Sequence, residues 1–364
     1  MQTKYKRIAV KVGSNVLTRP DGTLDVTRMS SLVDQIAELR QHGVEVILIS
    51  SGAVASGRSE LRLTAEEYKR MDSVDQRQLF SAVGQAKLIN RYYELFREHD
   101  IPVGQVLTMK ESFSTRRHYL NQRNCMMVML DNGVLPIVNE NDTISVTELM
   151  FTDNDELSGL IATMMDVQAL VILSNVDGIY NGKPGNEGVT VIPTVEPNKD
   201  LSEYIHIEKS GFGRGGMITK CNIARKVADE GVTVMIANGK RERILTDLIF
   251  HPESVTYTCF QSKQETVSSV KKWIAHSAGF TKGRICLNEK AVDVVCGDKA
   301  VSILPVGVTH VEGEFEKDDL VQVVSPEGKV LGVGRIAYDS ADARAVIGMH
   351  DCKPMVHYDY LYLE

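Results

Sequence analysis

The sequence predicts an α/β protein, a three-layer αβα sandwich with a mostly parallel sheet, followed by a small all-β module. Three observations carry this. Short apolar runs alternate with stretches of helical period through the first two-thirds of the 364 residues. Several helical stretches stop at a glycine just ahead of the next apolar run, at Gly43, Gly133 and Gly231, the usual C-terminal signal of a helix. Near residue 240 the alternation gives way to short β-like runs divided by turns. Strands that are apolar throughout are covered on both faces, so the first part reads as a buried parallel sheet between two layers of helices.

The elements follow in order. Strands are predicted over 8–12, 44–49, 103–107, 134–138, 170–173 and 232–236. Between them lie helical patterns. Over 155–166, for example, Leu157, Leu160, Ile161, Met164 and Met165 repeat at i, i+3, i+4, i+7 and i+8. The run Met126-Met127-Val128-Met129 is expected to be helix core. Residues 238–280 are mixed and polar and hold the single tryptophan, Trp273. Beyond them, strands are predicted over 284–287, 300–304, 308–311, 320–324 and 330–333, with Glu312-Gly313 and Glu327-Gly328 as turns. The expected division is a domain at 1–260, a linker at 261–280 and a β module at 281–364.

Composition narrows the function classes. Hydrophobic residues at 43% and charged residues at 24% are ordinary globular usage. Six single cysteines with no C-x-x-C pair argue against a disulfide framework and a zinc cage, and the nine histidines show no metal-ligand spacing. No metal site built from protein ligands is expected. The N-terminal residues lack an apolar signal-peptide run, and no apolar run approaches the roughly 20 residues that span a bilayer. A net charge of −7 disfavours broad nucleic-acid binding. A soluble, cytoplasmic enzyme with no membrane partner is expected.

In an open α/β sheet, ligands bind beyond the carboxyl ends of the strands. Those ends carry Lys11 and Gly13-Ser14-Asn15, then Ser51-Gly52, then Asn139-Glu140-Asn141-Asp142, then Ser174-Asn175. A lysine inside the apolar strand 8–12 needs an anionic partner to offset its desolvation. Gly211-Phe212-Gly213-Arg214-Gly215-Gly216 matches G-x-G-x-x-G formally, but polar residues precede it, so a dinucleotide fingerprint is excluded. Those glycines open an amphipathic helix with Lys220 in its first turn. A cation there opposes the helix dipole unless dipole and lysine bind phosphate oxygens together. Thr152-Asp153-Asn154-Asp155 precedes a helix expected to start near Glu156, with Asp153 or Asn154 as N-cap. Asp155 is then available to hold two lysines that stabilise charge on a transferring group. Phosphoryl transfer asks little else of a protein.

Together these motifs resemble the amino acid kinase superfamily, and within it the branch that phosphorylates free glutamate. The carriers are VKVGSN at 10–15, ISSGAVASG at 49–57, QLFSAVGQ at 78–85, PIVNEND at 136–142, TDNDELS at 152–158, NVDGIY at 175–180 and GRGGMITK at 213–220. The tail at 297–323 resembles a PUA module, a small β-barrel. The resemblance implies ATP- and Mg2+-dependent phosphorylation of the γ-carboxylate of L-glutamate, the first step of proline biosynthesis. It implies catalytic roles for Lys11, Lys220 and Asp155. Ser51, Asp142 and Asn154 would bind glutamate, with Gly52, Asn139 and Asn141 shaping the pocket. Lys11, Gly13, Ser174, Asn175, Arg214, Gly215, Gly216, Met217, Ile218, Thr219 and Lys220 would hold ATP. It also implies proline as a feedback inhibitor and a homo-oligomer.

The chain departs from the family pattern at Ser174-Asn175, where Thr-Asp is usual, at Arg214, where threonine is common, and at Ser14-Asn15. Competing acceptors in the superfamily are aspartate, N-acetylglutamate and carbamate. A competing class is an RNA-binding or RNA-modifying protein, since PUA modules occur there. Residues 277–364 carry nine Lys/Arg against fourteen Asp/Glu, a poor match to a polyanion.

Overall fold

A computed structural model describes residues 3–61, 63–113, 116–145, 151, 154–197, 217–263, 274, 281–297 and 301–363. The chain divides into two compact units, Met1–Lys110 with Arg123–Thr266, and Glu111–Gln122 with Val267–Glu364.

The first unit is built on an eight-stranded sheet. Its strands are β1 (Arg7–Val12), β2 (Glu45–Ser50), β3 (Val103–Thr108), β4 (Leu135–Glu140), β5 (Ala169–Ser174), β6 (Thr194–Val195), β7 (Thr233–Asn238) and β8 (Thr258–Phe260). The order is β3-β4-β2-β1-β5-β7-β8-β6. Every described pairing is parallel except β7 with β8. All six strands predicted for this part appear, shifted by one or two residues. The short β6 and β8 carry no sequence signal of their own, because strands of two or three residues show no period.

The helices are α1 (Ser14–Leu17), α2 (Val26–Gln41), α3 (Ala53–Leu61), α4 (Ala65–Arg70), α5 (Ser73–Arg97), α6 (Arg116–Asp131), α7 (Asn154–Met164), α8 (Met217–Asp229) and α9 (Ile244–Phe250). Gly43, Gly133 and Gly231 all have positive φ, so each ends its helix in a conformation that glycine adopts without steric cost. Ile8, Val10 and Val12 of β1 join one core with Met29, Leu32 and Ile36 of α2, Leu88 and Tyr92 of α5, and Leu245 of α9. Side chains alternate across a strand, so Lys11 lies on the opposite face of β1, the face that α7 and α8 cover. In α6, Met126 is buried but Val128 is exposed, so the methionine run is core only at its first residue.

Two glycines set the closest helix approach. A Cβ on Gly57 of α3 would lie 1.9 Å from the Phe80 carbonyl oxygen of α5. One on Gly84 of α5 would lie 1.8 Å from the Ala53 carbonyl oxygen. Backbone cannot yield as a flexible side chain does, so Gly84→Ala is expected to cost about 1–3 kcal/mol. In a chain longer than about 250 residues that lowers Tm by at most about 2–4 °C per kcal/mol. An unchanged Tm in a thermal melt would show that α3 and α5 separate freely.

The second unit holds a five-stranded, mostly antiparallel sheet of β9 (Gly283–Leu287), β10 (Val308–Gly313), β11 (Leu320–Val324), β12 (Val330–Ile336) and β13 (Val356–Leu363), in the order β10-β9-β11-β12-β13. Two short helices, α10 (Glu289–Val295) and α11 (Ser340–Ala345), join it. Its own core gathers Ile285, Leu287, Val321, Val323, Ile336 and Val356. The strand expected over 300–304 is reduced to one bridge, Ile303 with Val356, because Pro305 begins a 3-10 turn directly after it. Ala300, Trp273 and most of the expected linker lie outside the described residues.

Candidate active site

The carboxyl ends of β4, β2, β1, β5 and β7 are adjacent in the sheet. The chain leaves β1 toward β2 on one side and returns as β5 on the other, so a crevice opens beyond the ends of β1 and β5. Gly13 stands there. Its N–H donates to the Leu173 carbonyl (3.1 Å), and a Cβ would lie 3.3 Å from that oxygen and 3.6 Å from Lys11 Nζ. Glycine therefore keeps the floor beside the ammonium group open.

Lys11 sits mid-sheet, opposite Ile49 of β2 and Ile172 of β5, with only 5% of its surface exposed. The anionic partner its burial demands is Asp155, whose Oδ1 is 2.5 Å from Lys11 Nζ. The other oxygen, Oδ2, is 2.8 Å from Lys220 Nζ. Asp155 is 1% exposed. Burial alone would push its carboxyl up, but the charges and hydrogen bonds of Lys11 and Lys220 hold it below the ordinary carboxylate value. It occupies the first turn of α7, where the helix dipole also favours a carboxylate. The helix begins at Asn154, earlier than expected, and Thr152 and Asp153 lie outside the described residues. Lys220 stands in the first turn of α8. The two helices approach closely because α7 has Gly159 there. A Cβ at that position would lie 2.9 Å from Val227 and 3.1 Å from Ile223 of α8.

Beside this triad, Asn154 gathers the β2 and β4 ends. Its Nδ2 donates to Ser51 Oγ (2.8 Å) and to Asn139 Oδ1 (3.2 Å). Gly52 follows at φ +108°, a backbone state that L side chains rarely adopt. Ser51, Gly52, Asn139 and Asn154 thus form one cluster. Asn141 and Asp142 have other partners. Asn141 Oδ1 accepts from Thr143 Oγ1 (2.5 Å), and Asp142 accepts from Arg77 Nε (2.8 Å). Both line a cavity of about 210 Å3 with Ser81, Gln85 and Glu140.

On the other side, the Ser174 carbonyl accepts from Gly239 N (2.8 Å), joining the ends of β5 and β7, and Asn175 follows directly. Met217, Ile218, Thr219 and Lys220 form the opening turn of α8. Arg214, Gly215 and Gly216 lie outside the described residues. Asp177, from the motif at 175–180, accepts from Asn238 Nδ2 (3.0 Å) and the Tyr180 hydroxyl (3.1 Å). Among the described residues no three His, Cys, Asp or Glu side chains cluster to hold a metal ion. No described helix is long and apolar enough to cross a membrane.

The sequence places Glu140 at the strand end and Gln85 in the motif at 78–85 without giving either a role, and it does not single out Arg77. Glu140 adjoins the predicted residues, and its place in a fully buried strand was the available signal. Arg77 and Gln85 lie on a long helix where polar residues read as a solvated face.

A buried carboxylate bridging two lysines, small residues at adjoining strand ends and a helix N-terminus form a site that can neutralise and position a phosphoryl group. The amino acid kinase family pattern matches residues 6–238, and the PUA domain pattern matches residues 283–358. The chain is 70% identical to the glutamate 5-kinase of Bacteroides thetaiotaomicron over 364 residues, covering 100% of both chains. It is 46% identical to that of Chlorobaculum tepidum, over 99% of this chain and 98% of the relative. A solved structure, the UMP kinase from Bacillus anthracis, aligns with 71% of this chain and 97% of its own at 17% identity and a TM-score of 0.49. With its pattern spanning most of the chain and relatives matching from end to end, this protein belongs to the amino acid kinase family and carries a PUA domain after the kinase region.

Proposed function

We propose that this chain transfers the γ-phosphoryl group of ATP to the γ-carboxylate of L-glutamate, forming L-glutamyl 5-phosphate for proline biosynthesis. The observation that carries this reading is Asp155, buried between Lys11 and Lys220. Identity of 70% over the full length to a relative named glutamate 5-kinase supports glutamate as the acceptor.

A γ-carboxylate with an ordinary pKa of about 4.3 is ionised at neutral pH, so the attacking oxygen needs no general base. The obstacle is repulsion between that anion and the triphosphate. One carboxylate oxygen forms a bond to the γ-phosphorus as the bond to the β–γ bridging oxygen breaks, and ADP leaves with that electron pair. Lys11 and Lys220 offset the negative charge on the transferring group, and Asp155 keeps their ammonium groups aimed at it. Ser51, Asp142 and Asn154 bind glutamate in a pocket shaped by Gly52, Asn139 and Asn141. Gly13, Ser174, Asn175 and residues 214–220 hold ATP. Mg2+ enters as part of the nucleotide substrate, since it draws most ligands from phosphates and water.

The same reading makes proline an inhibitor at the acceptor pocket, the chain a cytoplasmic homo-oligomer, and residues 1–260, 261–280 and 281–364 the kinase domain, linker and PUA-like domain. The tail has a structural or regulatory role. RNA binding by it that weakens steeply with salt would overturn that role.

Incubation with ATP, Mg2+ and L-glutamate, with the acyl phosphate trapped by hydroxylamine, is expected to yield the γ-hydroxamate. Product from aspartate, N-acetylglutamate or carbamate, with none from glutamate, would replace the acceptor.

A further inference from the structure

Helix α5 directs one polar stripe at the carboxyl edge of the sheet. Arg77, Ser81 and Gln85 recur every four residues, and Tyr92 falls on the same side of the helix at 3.6 residues per turn. Two of these side chains hold residues of the proposed acceptor pocket, and a third holds Ser50 beside it. Arg77 Nε donates to Asp142 Oδ1 (2.8 Å), and Nη2 donates to the same oxygen and to Glu140 Oε2 (2.9 Å). Gln85 Oε1 accepts from Asn139 Nδ2 (2.8 Å). The Tyr92 hydroxyl meets Ser50 Oγ (2.9 Å) in a fully buried contact next to Ser51. Ser81 lies between the first two, 2% exposed on the cavity wall.

These contacts are asymmetric in a useful way. The donors from Arg77 to Asp142 converge on Oδ1 and leave Oδ2 out. Gln85 takes the amide hydrogen of Asn139, which turns Asn139 Oδ1 toward Asn154 and the Glu140 N–H (2.9 Å). Glu140, held by Arg77 on one oxygen, accepts the Phe151 N–H (2.9 Å) on the other. One helix face thus sets the orientation of Asp142 and Asn139 together and holds Ser50, the neighbour of Ser51. The glycine contact with α3 fixes where that face lies.

We propose that Arg77 and Gln85 are positioning residues that set affinity for the acceptor amino acid, acting through Asp142 and Asn139 without touching the phosphoryl group. The proposal rests on the reading of glutamate as acceptor. A purely structural pair would change stability alone, or the two substrate KM values alike.

The test compares wild type with Arg77→Lys, Arg77→Met and Gln85→Met by steady-state kinetics and thermal melts. Arg77→Met and Gln85→Met are expected to raise glutamate KM at least tenfold, with ATP KM and kcat within about threefold. Arg77→Lys is expected to recover only part of the loss, because an ammonium cannot fork to two carboxylates as a guanidinium does. It also carries the test where Arg77→Met does not fold. Unchanged glutamate KM, or equal increases in both KM values, would overturn the proposal while the reaction itself stands. A wild-type protein that phosphorylates no glutamate would overturn both readings at once.

Discussion

Lys220→Ala is expected to lower kcat by about 100- to 1,000-fold while glutamate KM moves less than threefold, the size seen when one preorganised stabiliser of transition-state charge is removed. Lys220 Nζ reaches the site from the first turn of α8, 2.8 Å from Asp155 Oδ2. Removing it leaves Asp155 still paired with Lys11, so no buried carboxylate is stranded and the fold survives. The acceptor cluster of Ser51, Asn139 and Asn154 does not depend on it. An interaction made mainly in the transition state changes kcat, and glutamate KM is a measure of the other substrate's ground-state binding. Lys220→Arg is not expected to rescue, since a forked guanidinium does not replace a point charge in a confined site. A coupled ADP-release assay checks this, and a kcat within threefold of wild type would remove Lys220 from the catalytic set.

Asp155→Ala is expected to impair stability as well as turnover. It strands Lys11, 5% exposed in a central strand, beside a second ammonium. Breaking a buried ion pair by deleting one partner costs about 3–5 kcal/mol, because an uncompensated charge remains inside. Urea denaturation at pH 7 checks the magnitude, and a loss below about 1 kcal/mol would show the lysines solvated instead. The pH dependence has a definite sign. Lys11 and Lys220 outweigh burial and hold Asp155 below its ordinary value, so the folded state binds this proton less readily than the unfolded chain. The stabilisation is therefore fully present above the ordinary carboxylate range and is lost as pH falls through the lower, folded-state value. The stability gap between wild type and Asp155→Ala is expected to be level from neutral pH down to about pH 5 and to shrink below pH 4. A gap that grows on acidification would reverse the assignment.

Much of the site was legible because its residues violate local rules. A lysine in the run Ile8-Ala9-Val10-Lys11-Val12 and a lysine in the first turn of a helix each conflict with their surroundings unless an anion answers them. The structure supplies the same answer to both, Asp155. Gly43, Gly133 and Gly231 were legible for a similar reason, since positive φ at a helix end selects glycine whatever surrounds it. Arg77, Gln85 and Tyr92 break no local rule. On a 25-residue amphipathic helix, polar side chains every four residues describe a solvated face as well as one turned inward.

What the sequence determined by itself was therefore local or nearly so. It set the alternation of strand and helix, the breaks between them, the change to a β module, and the oddly placed charges. Backbone geometry and the cost of burying an ammonium act over a few residues and leave their mark there. Only the tertiary structure decided that residues 11, 155 and 220 meet within 3 Å, and that α5 turns its polar stripe toward β4 instead of water. Those outcomes depend on which strands lie side by side and how closely α3 and α5 approach, and packing between segments far apart in the chain has no local period to read.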